Sequence, residues 1–196
     1  MLAEWSAECS VDAPVLIVPW SDPNGTLRYI DLRANPHEID HLPEAEQNPP
    51  LMQALRALNA PRSAVFTAKC DAWALSLEER ETLLLNIDPT LSDVPVGFGS
   101  YIDLVPRERT LLGSFPQQEQ LLGRLMRRAV PLDHPLAALE CIIRPVFLEI
   151  TTPQEGYSIS LYVKALGADA QDAWQNWAAA LESVVALLRS KDLSLI

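Results

Sequence analysis

The side chains with the most reactive chemistry lie together in one short segment, Lys69-Cys70-Asp71. A lysine beside a cysteine can lower the pKa of the thiol and so create a nucleophile. The surrounding residues are typical of a strand, however, and neighbours in a strand point to opposite faces. We therefore expect a buried, unreactive Cys70 and a Lys69–Asp71 pair on the outward face.

Two histidines, His37 and His41, are spaced four apart within an acidic stretch. On one helical turn both imidazoles could bind a metal with a nearby carboxylate. Pro36 and Pro43 leave barely one turn between them, and no third ligand is specified. We expect a solvated acidic loop here, with no metal and no cofactor.

Signatures of common enzyme classes are missing from the sequence. His134 has no serine-nucleophile elbow to accompany it, and Gly97-Phe98-Gly99 stops short of a dinucleotide-binding glycine run. The two glycines instead indicate a bulge or a close backbone approach in a strand. These absences favour a non-enzymatic module over an enzyme.

A basic island interrupts an otherwise acidic chain. Residues 105–130 contain five arginines and two glutamates, although the protein as a whole carries a net charge of −11. Arg124, Arg127 and Arg128 share the helix face opposite the leucines and are candidates for binding an acidic partner or a phosphate. The alternative is a solvated face whose charge complements the helix dipole.

Length and composition limit the remaining choices. The 196 residues, with 26 acidic and 15 basic side chains, predict a single domain over residues 1–196 and argue against general nucleic-acid binding. No apolar run approaches the ~20 residues of a membrane helix, and the N-terminus lacks the basic region of a signal peptide. Three cysteines without C-x-x-C spacing indicate reduced thiols in a cytoplasmic protein.

The first half of the chain predicts a hairpin, a helix and a strand. Residues 15–18 and 26–32 are strand-like and flank the turn residues Pro23-Asn24-Gly25. Asn48 and Pro49 are a helix start, and Pro61 ends that segment. Residues 63–75 are a strand whose core face we expect to consist of Phe66, Ala68, Cys70 and Ala72.

The second half predicts three helices and three strands. Capping-box patterns at Ser76 and Ser114 begin two helices, and Asp169 begins a long amphipathic helix. Residues 96–105 form one strand, while residues 139–150 and 157–166 form a hairpin. Pro145 lies inside the first hairpin strand and predicts a bulge or an edge position there.

This order predicts an α+β domain with an antiparallel or mixed sheet of about six strands. Helices should pack mainly on one face, and the long amphipathic helix lies at the C-terminus. An edge strand at Pro145 would allow pairing across a twofold axis, so a homodimer is one expected assembly.

Two functions compete at this point. The first is an acidic protein-interaction or accessory module, with the arginine helix as a secondary contact surface. The alternative is a small enzyme or ligand-binding domain with a pocket near Lys69, Asp71, Asp103 and the segment from Gly97 to Tyr101, in which Asp71 or Asp103 acts as acid or base. A polar cleft with a shifted pKa would favour the alternative, and a flat apolar patch with an open sheet edge would favour the module.

Overall fold

A computed structural model describes residues 1–88, 95–150 and 152–190 of the chain. The strands are β1 (Leu2–Ala7), β2 (Leu16–Val18), β3 (Val65–Ala74), β4 (Val96–Pro106), β5 (Ala137–Leu148) and β6 (Gln154–Gly167). The α-helices are α1 (Pro43–Gln47), α2 (Pro49–Asn59), α3 (Leu77–Ile87), α4 (Arg109–Leu112), α5 (Phe115–Ala129) and α6 (Ala170–Leu188). A 3-10 helix covers Pro36–His41. Within the described residues, no helix has both the length and the apolar character to cross a membrane.

All six strands belong to one mixed sheet, which confirms the predicted α+β class. The order is β1-β5-β6-β4-β3, and the pairs β3–β4, β4–β6 and β6–β5 are all antiparallel. β1 and β2 both run parallel to β5 and follow one another along its outer side. The sequence did not reveal β1, because its alanines and glutamate are depleted in strands generally.

Helices α2, α5 and α6 cover one face of the sheet and form its helix layer. Their apolar stripes pack against alternate residues of the inner strands, including Ile102, Leu139 and Leu161. Trp177 of α6 is fully buried, and its indole N–H donates to the Ser100 hydroxyl at 2.9 Å. Asp169 caps α6 as predicted, by accepting from the Asp172 amide.

The other face of the sheet, the open face, is covered by the described residues only at its two ends. At one end Leu83 and Leu84 of α3 pack on Leu75 and Leu166. At the opposite end Leu112 of α4 joins an apolar cluster with Phe66, Val18, Val105 and Val146. Between the two clusters the face carries mostly polar side chains.

The predicted hairpin of residues 15–18 and 26–32 is wrong. Residues 26–32 contain no strand, and an isolated antiparallel bridge joins Ser21 to Arg28. The turn itself is present, because Gly25 has a positive φ of 70°. β2 pairs instead with β5, where Val18 is fully buried with Val146. Burial against a long inner strand outweighs local pairing in this case.

The predicted core face of β3 is also wrong over part of its length. A β-bulge between Thr67 and Cys70 adds one residue and exchanges the two faces. Before the bulge, Phe66 and Ala68 face the open side of the sheet. After it, Cys70 and Ala72 pack against the helix-side core. Strict alternation therefore holds only on either side of the bulge.

Pro145 is accommodated without a bulge or an edge position, in contrast to the prediction. It lies opposite Tyr157 in continuous register, and β5 is an inner strand. β1 pairs with β5 up to Ile143, and β2 pairs with it from Val146 onwards. The Ile143 carbonyl accepts from the Glu8 amide, so the backbone N–H and C=O groups of odd-numbered β5 residues point toward β1 and β2. The missing N–H of Pro145 thus falls in the gap between β1 and β2.

The capping predictions have different outcomes. Ser76 and Glu79 form the full capping box at the start of α3. α5 begins after Ser114 as predicted, but the serine side chain makes no capping hydrogen bond. α2 begins after Asn48 with a proline in its first turn, as the sequence indicated.

Candidate functional site

A row of polar and aromatic side chains crosses the open face at its centre. The strand register aligns Asp71, Tyr101, Tyr162, Glu140 and Glu4, one from each of β3, β4, β6, β5 and β1. Residues aligned across neighbouring strands share a face of the sheet, so these side chains all lie on the open face. Together with the adjacent side chains of Glu8, Asp103, Arg144 and Ser160, they form a polar band between the two apolar clusters.

A hydrogen-bonded chain runs through the polar band and links three of its strands to the end of β1. The Ser160 hydroxyl donates to the Asp103 carboxylate at 2.5 Å. Arg144 donates from Nη1 to the Ser160 hydroxyl at 3.0 Å and to the Tyr162 hydroxyl at 3.2 Å. Its Nε donates to Glu8 at 2.9 Å, just after β1. Each charged group in this hydrogen-bonded network therefore has a polar or oppositely charged partner.

Asp103 lies in the most buried part of the band. Burial raises the pKa of its carboxyl, and the Ser160 hydrogen bond and the charges of Arg144 and Lys69 only partly oppose that effect. The residue is 8% exposed. A carboxyl that gains a proton more readily than usual can serve as an acid or as a specific recognition group.

The surroundings of Arg144, unlike those of Asp103, favour the charged form of the side chain. Burial lowers the pKa of its guanidinium, but hydrogen bonds to Glu8 and Tyr162 outweigh burial and raise the pKa overall. Its side chain is 22% exposed, and that of Glu8 is 46% exposed. Arg144 is therefore a permanent, well-anchored cation within the polar band.

Three aromatic rings line the band beside α3. Tyr101 lies 5.8 Å from Tyr162 and 6.3 Å from Trp73 between ring centroids. Lys164 places its ammonium 5.6 Å from the centre of the Tyr162 ring. The Trp73 indole donates to Glu79 at 3.2 Å, which ties the aromatic group to α3.

The predicted pocket residues are only partly brought together. Asp71, Tyr101 and Asp103 lie on the same face of the sheet. Lys69 lies at the bulge, and its ammonium is 4.9 Å from the centre of the Trp20 ring. No ion pair joins Lys69 to Asp71 in the described part of the chain, so the expected pair is absent.

Cys70 faces the helix-side core after the bulge. Burial raises the pKa of its thiol to about 12, with smaller contributions from Glu44, Asp71 and Asp103. The thiol is thus almost fully protonated at neutral pH, which disfavours nucleophilic attack. Its lack of reactivity stays a prediction.

The histidine pair lies away from the polar band. His37 and His41 are both exposed on the 3-10 helix, and the His37 ring is 3.5 Å from Glu38. Across residues 1–88, 95–150 and 152–190, no group of three or more His, Cys, Asp or Glu side chains could hold a metal.

The arginine helix belongs to the helix layer, on the other side of the sheet. Arg127 is exposed, whereas Arg124 and Arg128 are half-buried, so the three do not form one uniformly solvated face. The buried Nε and Nη2 atoms of Arg124 lack a hydrogen-bond partner among the described residues. Their role in binding a partner stays a prediction.

Arg144, Ser160, Tyr162 and Glu8 were not identified from the sequence as site residues. Alternation along the predicted strand of residues 157–166 puts Ser160 and Tyr162 on one side of it, but alternation cannot pair that side with Asp103 or Arg144. Pairing across strands depends on the sheet order, which is a long-range property.

Comparisons with protein-family models, with curated proteins and with solved structures each found no significant match to this chain.

Proposed function

We propose that the protein is a binding module that recognises a basic segment of another protein on the polar band. The observation that carries this proposal is the excess of carboxylates on an uncovered sheet face. Carboxylates outnumber cations there, with Glu4, Glu8, Asp71, Glu78, Glu79, Asp103 and Glu140 against Lys69, Lys164 and Arg144. A protein with a net charge of −11 attracts a basic partner over long range as well.

A groove of 290 Å³ at the edge of the polar band offers a place for a cationic side chain. It lies between α3 and the first residues of β1 and β5, and its walls include Glu4, Glu78, Glu79 and Glu140. Ion pairs in a partly desolvated groove contribute more to binding than pairs on an open surface. A lysine or arginine of the partner would fit this groove.

Lys164, a lysine of the protein itself, already places an ammonium group in the wall of this groove. Lys164 lies over the Tyr162 ring, and its charge helps lower the pKa of Glu79. The largest influence on Glu79 is burial, which raises its pKa, but hydrogen bonds from Ser76 and Trp73 outweigh it. Aromatic faces and carboxylates therefore already stabilise an ammonium at this position.

A small-molecule pocket with Asp103 as its acid is the second candidate, favoured by the raised pKa of that carboxyl. The Ser160 hydroxyl, the nearest potential nucleophile, is only 1% exposed and is engaged by both Asp103 and Arg144. A network with its hydrogen bonds satisfied suits recognition better than proton transfer. The binding module is therefore our first choice, in agreement with the missing catalytic signatures.

We also infer that the module works in the cytoplasm. Cys9, Cys70 and Cys141 are all free thiols, which suits a reducing compartment. The homodimer expected from an edge strand at Pro145 loses that basis, because β5 is an inner strand, and sedimentation equilibrium measures the assembly state directly.

The test uses a fluorescein-labelled peptide of alternating lysine and alanine and follows its anisotropy as the protein is added. The wild type should bind it, and Glu4→Gln/Glu140→Gln should bind about tenfold more weakly, since two ion pairs are lost. The control, Glu119→Gln/Glu182→Gln, removes the same charge from exposed positions of α5 and α6.

An equal loss of affinity in the two double variants would contradict the proposal, because it would indicate attraction by net charge alone.

Protein capture from a lysate, with the captured proteins identified by mass spectrometry and the same two variants as controls, then tests for a natural partner. A partner retained by Glu4→Gln/Glu140→Gln would place the contact elsewhere. Binding of a small metabolite that is lost in Asp103→Asn, without any peptide binding, would favour the second candidate.

A further inference from the structure

A second polar site, independent of the polar band, lies at the end of β4. Arg33 and Arg107 line the same two cavities, one of 660 Å³ and one of 420 Å³. Arg109 lines the smaller cavity as well, and Asp31 is the only carboxylate among the described residues of its wall. Three cations thus meet one anion in a protein that is strongly acidic overall.

Arg33 is held in a fixed orientation. Its Nε and Nη2 donate to the two oxygens of Asp31 at 2.8 and 2.7 Å. Its guanidinium lies 3.7 Å from the centre of the Phe66 ring. Arginine can stack on an aromatic ring and still bind an oxyanion through its remaining N–H groups. The side chain of Arg33 is 25% exposed, so those groups remain within reach of a ligand.

Arg107 is fixed by backbone carbonyls. Its Nε donates to Val65 at 3.0 Å, and its Nη2 donates to Asn59 at 2.8 Å and to Ala60 at 3.2 Å. Within the described residues, no carboxylate lies at ion-pair distance from this guanidinium. Nη1 donates to none of these carbonyls. Arg107 therefore brings to the cavities a charge that has no ion-pair partner among the described residues.

The two guanidiniums repel each other. Burial lowers the pKa of Arg107, the charge of Arg33 lowers it further, and Asp31 only partly opposes both. Holding two like charges together costs free energy unless an anion joins them. Because both side chains are already ordered, an anion would bind without the entropy cost of fixing them.

The charge balance indicates the kind of anion. Arg33, Arg107 and Arg109 against Asp31 leave two positive charges. A phosphate monoester carries about −1.5 to −2 at pH 7, and arginines bind its oxygens in bidentate fashion. The 660 Å³ cavity beyond the arginines has apolar walls at Leu32, Ile39 and Leu55, and its charged residues Asp40 and Arg56 neutralise each other in an ion pair of 2.8 Å.

We propose that Arg33 and Arg107 form an anion site for a small phosphate monoester whose apolar body occupies the 660 Å³ cavity. Arg109 is exposed at the rim of the site and assists through its charge. The ligand and the basic segment bound by the polar band would occupy different surfaces, so either activity can exist without the other.

Isothermal titration calorimetry of the full chain with phenyl phosphate, inorganic phosphate and benzoate tests this site. Phenyl phosphate should bind about fivefold or more tightly than inorganic phosphate, since only the ester fills the apolar cavity. It should also bind more tightly than benzoate, which carries one charge. Equal affinity for phenyl phosphate and either of the other probes, or no binding of phenyl phosphate at millimolar concentration, would overturn the proposal.

Three variants locate the binding. Arg33→Gln should weaken phenyl phosphate about tenfold or more, and Arg109→Gln about threefold. Arg189→Gln, which removes an exposed charge after α6, is the matched control and should bind like the wild type. The exposed Arg109 side chain makes no ion pair with a described residue, so its variant remains informative even if Arg33→Gln unfolds. If Arg109→Gln and Arg189→Gln had the same affinity, the site would be elsewhere.

Discussion

Ser160 and Asp103, on neighbouring strands and directly opposite in register, share a hydrogen bond of 2.5 Å in which the serine hydroxyl donates. The bond partly compensates a carboxylate that is buried on a sheet face. Because burial still raises the pKa of Asp103, its charge lowers the stability of the native state at neutral pH.

Asp103→Asn should therefore stabilise the protein at pH 7. A carboxyl whose pKa is raised in the native state binds its proton more tightly in the folded protein than in the unfolded chain. The wild type therefore loses stability as the pH rises from ~3.9, the pKa of an aspartate in the unfolded chain, through the pKa of Asp103 in the native state. The variant should therefore be more stable than the wild type at pH 7, with a higher Tm, and the difference should disappear below pH ~3.5. Urea unfolding from pH 3 to pH 7 measures this. A variant less stable than the wild type at pH 7 would mean that the attraction of Arg144 and Lys69 outweighs burial.

Gly99→Ala should destabilise the sheet, because a Cβ at this position would approach Leu75 Cδ2 to 2.9 Å and Lys164 Cγ to 3.2 Å, and the Leu75 side chain is buried and so has little room to move. Overpacking of this kind costs about 1–3 kcal/mol. Urea unfolding provides the measurement. The prediction fails if the substitution is neutral, or if the cost is unchanged when Leu75 is shortened to alanine.

Gly123→Ala is the matched control for that experiment. A Cβ at Gly123 would meet only the Arg127 guanidinium, at an ordinary 3.7 Å. Inside helix α5, alanine is preferred to glycine, and the variant should be more stable by about 0.5–1 kcal/mol. Equal effects at the two glycines would count against steric contact as the cause.

The three thiols should differ widely in reactivity. Burial raises the pKa of all three thiols, that of Cys70 to about 12, and Glu8 adds to the effect at Cys9, but only Cys9 is exposed to the reagent. Ellman's reagent at pH 8 should titrate one thiol rapidly, and Cys9→Ser should abolish that phase. Two rapid equivalents in the native protein would show that Cys70 is a reactive thiol after all.

Ser100→Ala should destabilise the core by about 1–3 kcal/mol, since it leaves the buried Trp177 N–H without its acceptor. The native tryptophan emission should shift as well, because the hydrogen bond of a fully buried indole is lost. Urea unfolding followed by fluorescence measures both effects. Unchanged stability would indicate that water replaces the hydroxyl.

Local sequence signals determined most helices and several strands. The apolar stripe and the Asp169 cap define α6, and the Ser76–Glu79 pair defines the start of α3, because caps and 3.6-residue periodicity involve only near neighbours. The polar side of β6 and the presence of Tyr101 and Asp103 on one side of β4 were equally readable, since side chains in a strand alternate.

Tertiary structure decided how these pieces meet. The sequence alone could not reveal that β2 prefers β5 to its neighbour in the chain, or that a bulge reverses the faces of β3. Nor could it bring Arg144 and Ser160 to Asp103, or Arg33 to Arg107, because residues far apart in the chain contribute to each site. Strand order and register follow from the summed burial of the whole sheet, and that sum is not encoded in any single segment.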